Sequence, residues 1–214
     1  MPRAYHSPRR EADAAATRAT IVAAAAKLFI RDGYAATPMK AIAAEAGVSA
    51  QTVQLHGPKH ALLISAFETA FAGDEGSHSL TERPAIVDIM SEPDFDVALN
   101  RYVEFLTEAN ARSAAVVRAL MAAADADPAA RAAYAELEER RQRDMGLAAQ
   151  WFAARGRIEP AQTSMAADVL SHLTGPDAYL HFTQGRGWSD AQYAAWITRQ
   201  LASLSQHLEL EAPR

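Results

Sequence analysis

The sequence predicts an all-α fold, and three observations carry that prediction. Half of the 214 residues are apolar, much of that share is alanine, and aromatics are few. Alanine is the strongest helix former. Apolar residues recur at helical spacing, as in Ile21, Ala24, Ala25, Leu28 and Phe29, while β-branched alternation is nearly absent. Helix punctuation is also frequent: Gly33, Gly47 and Gly156 are stops, and Thr37-Pro38 and Asp127-Pro128 are starts. No apolar run approaches about 20 residues, so no membrane span is expected. The opening MPRAYHSPRR has no apolar core behind its basic residues and does not read as a secretory signal. The chain has no cysteine, which removes disulfide and thiolate chemistry and suits a cytoplasmic protein.

Taken in order, residues 1–10 are basic and proline-bearing and read as a flexible arm. A first helix is expected over 13–32, closed by Gly33. Thr37 is placed to cap a second helix, with Pro38 at a position that needs no N–H. Ile42 and neighbouring alanines give that helix a small apolar face, Gly47 supplies a left-handed stop, and Val48 plugs the angle. Ser49 caps a third helix, from 50 to about 56, whose exposed positions are Gln51, Gln54 and His56. A fourth covers 59–72, with Leu62, Leu63, Ala66, Phe67, Ala70 and Phe71 apolar.

After a polar loop over 73–82, a short helix fits 84–90. Asp94 caps a longer one to about 110, with Val97, Leu99, Tyr102, Phe105 and Leu106 facing inward. Another covers 113–124. Asp127-Pro128 then opens a helix to about 155. Further helices are expected over 161–173 and 176–184. Ser189 caps a last one ending near 209, with an apolar stripe of Tyr193, Trp196, Ile197, Leu201, Leu204 and Leu208.

Helix, glycine turn and capped helix with a polar face form a helix-turn-helix signature, in which the second helix enters the DNA major groove. Charge is distributed to match. Residues 1–60 hold eight Lys/Arg against four Asp/Glu, while the other 154 hold 13 against 22, within a net charge of −5. A basic end on an acidic body suits one module that meets phosphates and another that does not. The domains are accordingly placed at 1–60, with the arm able to reach the backbone or minor groove, and 61–214. On the third helix, capped by Ser49, the side chains of Ala50, Gln51 and Gln54 are placed for base edges. Glutamine can pair with adenine and Ala50 can touch a thymine methyl. Thr37, Lys40, Thr52, His56 and Lys59 are placed for phosphates.

The ordered set Phe29, Gly33, Thr37, Ile42, Ala43, Gly47, Val48, Ser49, Thr52, Lys59 and Leu62 resembles the DNA-binding domain of TetR-family transcriptional regulators. Two departures stand out. Gln54 occupies a position where that family usually has tyrosine, and His56 is followed directly by Gly57-Pro58, where the family has a phenylalanine that packs the end of the recognition helix. Leu55 or His56 must then fill the gap, or the helix ends earlier. The stretch LTGPDAYLHFTQGRGWSDAQYAAWITRQLASL is similar to the end of a common TetR subgroup. The resemblance implies a homodimer through about residues 161–208, reading a palindromic double-stranded operator. It also implies a small-molecule effector held between the helices of the larger domain and displacing the DNA. The side chains that would line such a site are Phe67, Tyr102, Phe105, Met121, Trp151, Met165 and His172, with Arg118 for an acidic ligand. Aromatic and methionine residues at helical spacing also serve as plain core.

Enzyme chemistry finds no footing. Gly57-Pro58 breaks the helix that would align His56 with His60, and His172 and His181 straddle Gly175-Pro176. The DADP run at 125–128 lacks the glycine and closing glutamate of a calcium loop. No phosphate-binding or dinucleotide glycine pattern occurs, and no cofactor or metal is expected. The reading is therefore a one-component regulator, most simply a repressor. Its alternatives are a ligand-independent regulator, a corepressor-dependent one whose ligand promotes DNA binding, and an all-α interaction protein that has lost DNA binding.

Overall fold

The structure is a computed structural model that describes residues 8–73, 75, 76 and 79–208. Arm residues 1–7 and Glu209, the expected end of the last helix, lie outside the described residues. Every regular element among the described residues is helical. Two compact units form. One takes the described residues up to Thr69 together with Ala115–Tyr134, and the other takes Ala70–Ala114 with the described residues from Ala135 onward.

In the first unit, α1 runs Pro8–Asp32. It therefore begins five residues before the expected start and takes in positions 8–10 of the expected arm. Nothing between Pro8 and Ala16 breaks a helix, and proline is tolerated in a first turn. Ile21, Ala25, Leu28 and Phe29 bury one face of α1. Three more helices complete the module: α2 at Met39–Ala46, α3 at Ala50–Leu55 and α4 at Lys59–Ala72. Their buried apolar residues are Ile42 and Ala43 from α2, Val53 from α3, and Leu62, Leu63 and Ala66 from α4. Val116, Val117, Leu120, Ala123 and Ala130 are among the buried apolar residues of 115–134.

Next come α5 at Pro84–Ser91, α6 at Phe95–Ala126 and α7 at Pro128–Ala154. The two helices expected over 94–110 and 113–124 are thus one helix of 32 residues. Ser113 does not cap a new helix; it is buried, and its hydroxyl donates back to the Ala109 carbonyl at 2.8 Å. No glycine or proline interrupts the run, so the ladder continues. Val97, expected inward, is 46% exposed. Asp94 and Asp127 do cap as expected. Asp94 Oδ1 accepts from the N–H groups of Asp96 and Val97, and Asp127 Oδ1 from those of Ala129 and Ala130.

The second unit is built around aromatic rings. Phe95 stacks on Trp151 at 5.1 Å between centroids and meets Phe152 edge-on at 5.3 Å. Arg155 donates to the carbonyls of Met90, Glu92 and Pro93, closing the exposed end of α5. The remaining helices are α8 at Thr163–Leu173, α9 at Pro176–Leu180 with a wider π turn over His181–Gly185, α10 at Asp190–Ala202 and α11 at Leu204–His207. Ser189 and Gln192 form a reciprocal capping box at the start of α10. Phe182 packs on Trp188 and Trp196, at 4.6 and 4.7 Å, and fixes the turn between them. Tyr193 donates to the Leu173 carbonyl at 2.7 Å and meets Tyr179 edge-on at 5.4 Å.

Phe152 has no exposed surface, and both Phe95 and Trp151 rest on it. Phe152→Ala is expected to cost about 3–5 kcal/mol of stability, measured as a fall in the urea midpoint.

Candidate nucleic-acid interface

The geometry of the interface begins with the turn between α2 and α3. Gly47 sits at φ +69°, a conformation in which a side chain would be strained. The Gly47 N–H donates to the Ala44 carbonyl at 3.3 Å, and the Val48 N–H to Ala43 at 3.0 Å. This paired closure is a Schellman end, which satisfies the last carbonyls and redirects the chain. Ser49 follows in extended conformation, and its Oγ accepts from the Thr52 N–H at 3.0 Å. The Ser49 and Thr52 hydroxyls lie 2.8 Å apart, so both are engaged at the helix start. Val53 is fully buried, while Ala50, Gln51, Gln54 and Leu55 are exposed. Lys40 on α2 is exposed as well, and Thr52 and His56 are half-buried.

Two expected phosphate contacts have other work. Thr37 does not cap α2: Pro38 holds that position, in extended conformation with no side-chain cap. Thr37 is 1% exposed, and its hydroxyl donates to the Gly33 carbonyl at 2.8 Å. Burial and that bond withdraw it from any outside partner. The Lys59 ammonium donates to the Tyr34 carbonyl at 2.8 Å and lies 4.1 Å from the centre of the Tyr34 ring. Burial lowers its pKa, with Asp127 acting the other way.

Tyr34 was not among the candidate residues, yet it joins three elements. Its hydroxyl donates to Asp127 Oδ2 at 3.1 Å, and its ring packs against Phe29 at 5.5 Å. Burial first, then the Asp127 bond, pushes its pKa up to about 12. The backbone N–H groups of Ala130 and Ala129 hold the Asp127 carboxyl below its ordinary value, with the Tyr34 bond adding to them. The turn before α2, the first residue of α4 and the N-cap of α7 are therefore tied by one polar cluster.

The missing aromatic at the end of α3 is replaced by a shorter helix and an arginine. The helix ends at Leu55 with His56 as its cap, and Gly57 turns at φ +123°. Leu55 does not fill a gap; it is 82% exposed. Arg18 of α1 donates through Nη1 to the His56 carbonyl at 2.7 Å and through Nη2 to Ser65 Oγ at 2.9 Å. The charge-assisted bond satisfies a carbonyl at the helix end and anchors α3 to α1 and α4. The sequence held a signal for this role. Extended backward from Ile21, Val22 and Ala25, the apolar stripe of α1 passes through Arg18, where a charge needs a specific partner.

The effector candidates are divided between the two units. Phe67, Arg118 and Met121 belong to the first unit; Tyr102, Phe105, Trp151, Met165 and His172 belong to the second. Arg118, Met165 and His172 are exposed. Tyr102 is buried, and Trp151 is committed to Phe95 and, through Nε1, to the Met90 carbonyl at 3.1 Å. Beside Tyr102 a cavity lined by Ile86, Met90, Asp144 and Met145 measures about 10 Å³, the space of one water. An open groove of about 450 Å³ lies elsewhere in that unit, between Asn100, Glu104, Thr107 and Glu108 of α6 and Asp190, Ala194 and Thr198 of α10. None of the eight candidates lines it. Among the described residues no three His, Asp or Glu come together to hold a metal ion, and no helix is long and apolar enough to cross a membrane.

Residues 21–56 match the model of the bacterial regulatory proteins of the tetR family. In fold, the chain is similar to a Mesorhizobium loti MAFF303099 protein assigned to the TetR-family transcriptional regulators. The two share 22% identity over 88% of this chain and 94% of the other, with a TM-score of 0.67. It is also similar to a transcriptional-regulator structure from Pseudomonas aeruginosa PAO1, at 18% identity over 90% and 93% of the two chains, with a TM-score of 0.67. No curated protein matches the chain.

Two outcomes follow from the ties described. Arg18→Ala strips a charged donor from the His56 carbonyl and is expected to cost about 1–3 kcal/mol, read from thermal unfolding. Asp127→Asn keeps the cap but removes the charge. The native carboxyl titrates below its ordinary value of 3.8, so its contribution is present above that pH and is lost as pH falls through the lowered native value. The midpoint of Asp127→Asn is therefore expected below wild type at pH 7, with the difference closing under strong acid.

Proposed function

We propose that this chain is a TetR-family regulator that works as a homodimeric repressor, a reading supported by the family match at residues 21–56 and by the similar fold. It binds a palindromic operator and leaves it when a small molecule binds. The observation that carries this reading is the exposed face of α3, a capped helix that presents Ala50, Gln51 and Gln54, while Lys40 is exposed on α2. Amide side chains on such a face match the N6/N7 pair of adenine, and the lysine supplies a phosphate contact. A single six-residue helix spans only a few base pairs, so a two-fold pair of half-sites is needed for useful specificity. The expected dimer face is 161–208, where the capping box and the Phe182 cluster hold α10 in a fixed pose.

Release needs a ligand that prefers one of two arrangements, by about 10⁴-fold to turn 1:99 into 99:1. The Tyr34–Asp127–Lys59 cluster supports a route for it. Asp127 starts α7 and holds the turn before α2, so a shift of α7 at its first turn pulls on the DNA-binding module. A regulator without an effector is the second reading, supported by Tyr102 and Trp151, two expected liners that are instead packed in the aromatic core with room beside Tyr102 for one water.

Selection of binding sites from random DNA, followed by a compound screen for release, tests both readings. A palindromic site freed by a compound supports the first, and a palindromic site that no compound frees supports the second. Gln51→Ala is expected to weaken the selected site about 5- to 150-fold. Lys40→Ala is expected to weaken all sequences alike and lower the salt slope by about one. Filter binding across a salt series reads both. Lys59→Ala, by contrast, is expected to show first as lost stability, since its ammonium holds Tyr34.

A further inference from the structure

We infer that Leu55 reads sequence: its isobutyl group contacts thymine C5-methyl groups in the half-site, and the chain discriminates against sites that lack them. The inference rests on the DNA-binding reading above. Leu55 is 82% exposed, against 48% for Ile30 and Val87, the next most exposed large hydrophobic side chains among the described residues. Its exposure is not forced by packing. Val53 takes the core position of α3, and Arg18 satisfies the carbonyl at the helix end, so neither role falls to Leu55.

Position decides what the side chain meets. Leu55 lies four residues after Gln51, on the same helical face and one turn further along. The exposed residues around it on α3 are Ala50, Gln51 and Gln54, small or polar. A lone leucine in such a setting does not make the contiguous apolar patch that seats a protein partner. In the major groove the thymine methyl is the one apolar feature that base pairs present. Gln51 suited to adenine and Leu55 suited to thymine together describe A·T pairs within one half-site.

Replacing single thymines of the selected site by deoxyuridine removes the methyl and leaves every hydrogen-bonding group in place. For the full chain, at one or two positions, the loss of each methyl is expected to weaken binding about fourfold. Leu55→Ala is expected to bind the thymine and uracil sites equally, with its melting midpoint unchanged. If that variant does not fold, Leu55→Gln is used in the same comparison. Three results overturn the inference: no methyl effect in the wild-type chain, an equal effect in the variant, or a selected half-site with no thymine. Failure to retain any DNA at low salt overturns the DNA-binding reading itself. Retention with no coupling between residue 55 and the methyl removes this inference alone.

Discussion

The bond from the Arg18 guanidinium to the His56 carbonyl is the constraint on which the candidate interface depends. A helix of six residues has almost no stability of its own, because isolated helices need about 12–15 residues to persist in water. It exists here because it is held at three points: the Ser49 hydroxyl at its start, buried Val53 in its middle and Arg18 at its end. Arginine suits the last task, since its planar fork reaches a carbonyl and the Ser65 hydroxyl together. With the end fixed, the exposed side of α3 is free to carry residues chosen for what they touch.

The same division between holding and reading runs through the rest of the module. Thr37, Lys59 and Tyr34 are polar groups at the edge of the candidate interface, and each is bonded inward. Gln51, Gln54, Leu55 and Lys40 are left facing out. A desolvated lysine over a ring and a carbonyl adds rigidity, and its positive charge reaches solvent only in part. The outer face therefore has modest charge and a pattern of amide and apolar groups, the kinds of side chain that meet base edges rather than phosphates.

How far the sequence alone leads depends on how local the determining chemistry is. The Gly47 stop, the Ser49 cap and the Asp127-Pro128 start were legible, because each is set by residues within a turn of one another. The continuity of α6 through Ser113 was not, since a serine hydroxyl serves equally as a cap or as a bond to the preceding turn, and only its burial decides. Thr37 misled for the same reason: its local setting is that of a cap, while a carbonyl four residues back takes its hydroxyl. Arg18 and Tyr34 act across 38 and 93 residues of sequence, and no local pattern encodes such partners. The effector candidates were drawn from aromatic and methionine residues at helical spacing, which is also the pattern of an ordinary core. Trp151 and Tyr102 indeed lie in the ring cluster around Phe95.

The link between α3 and α4 has a mechanical consequence. Only His56, Gly57 and Pro58 separate the two helices. Pro58 is stiff, and Gly57 is locked in a bend that suits few other residues. With so little slack, α3 cannot swivel by itself. Any rotation of the opening turn of α4 must carry α3 with it, in the way a key turns with its bow.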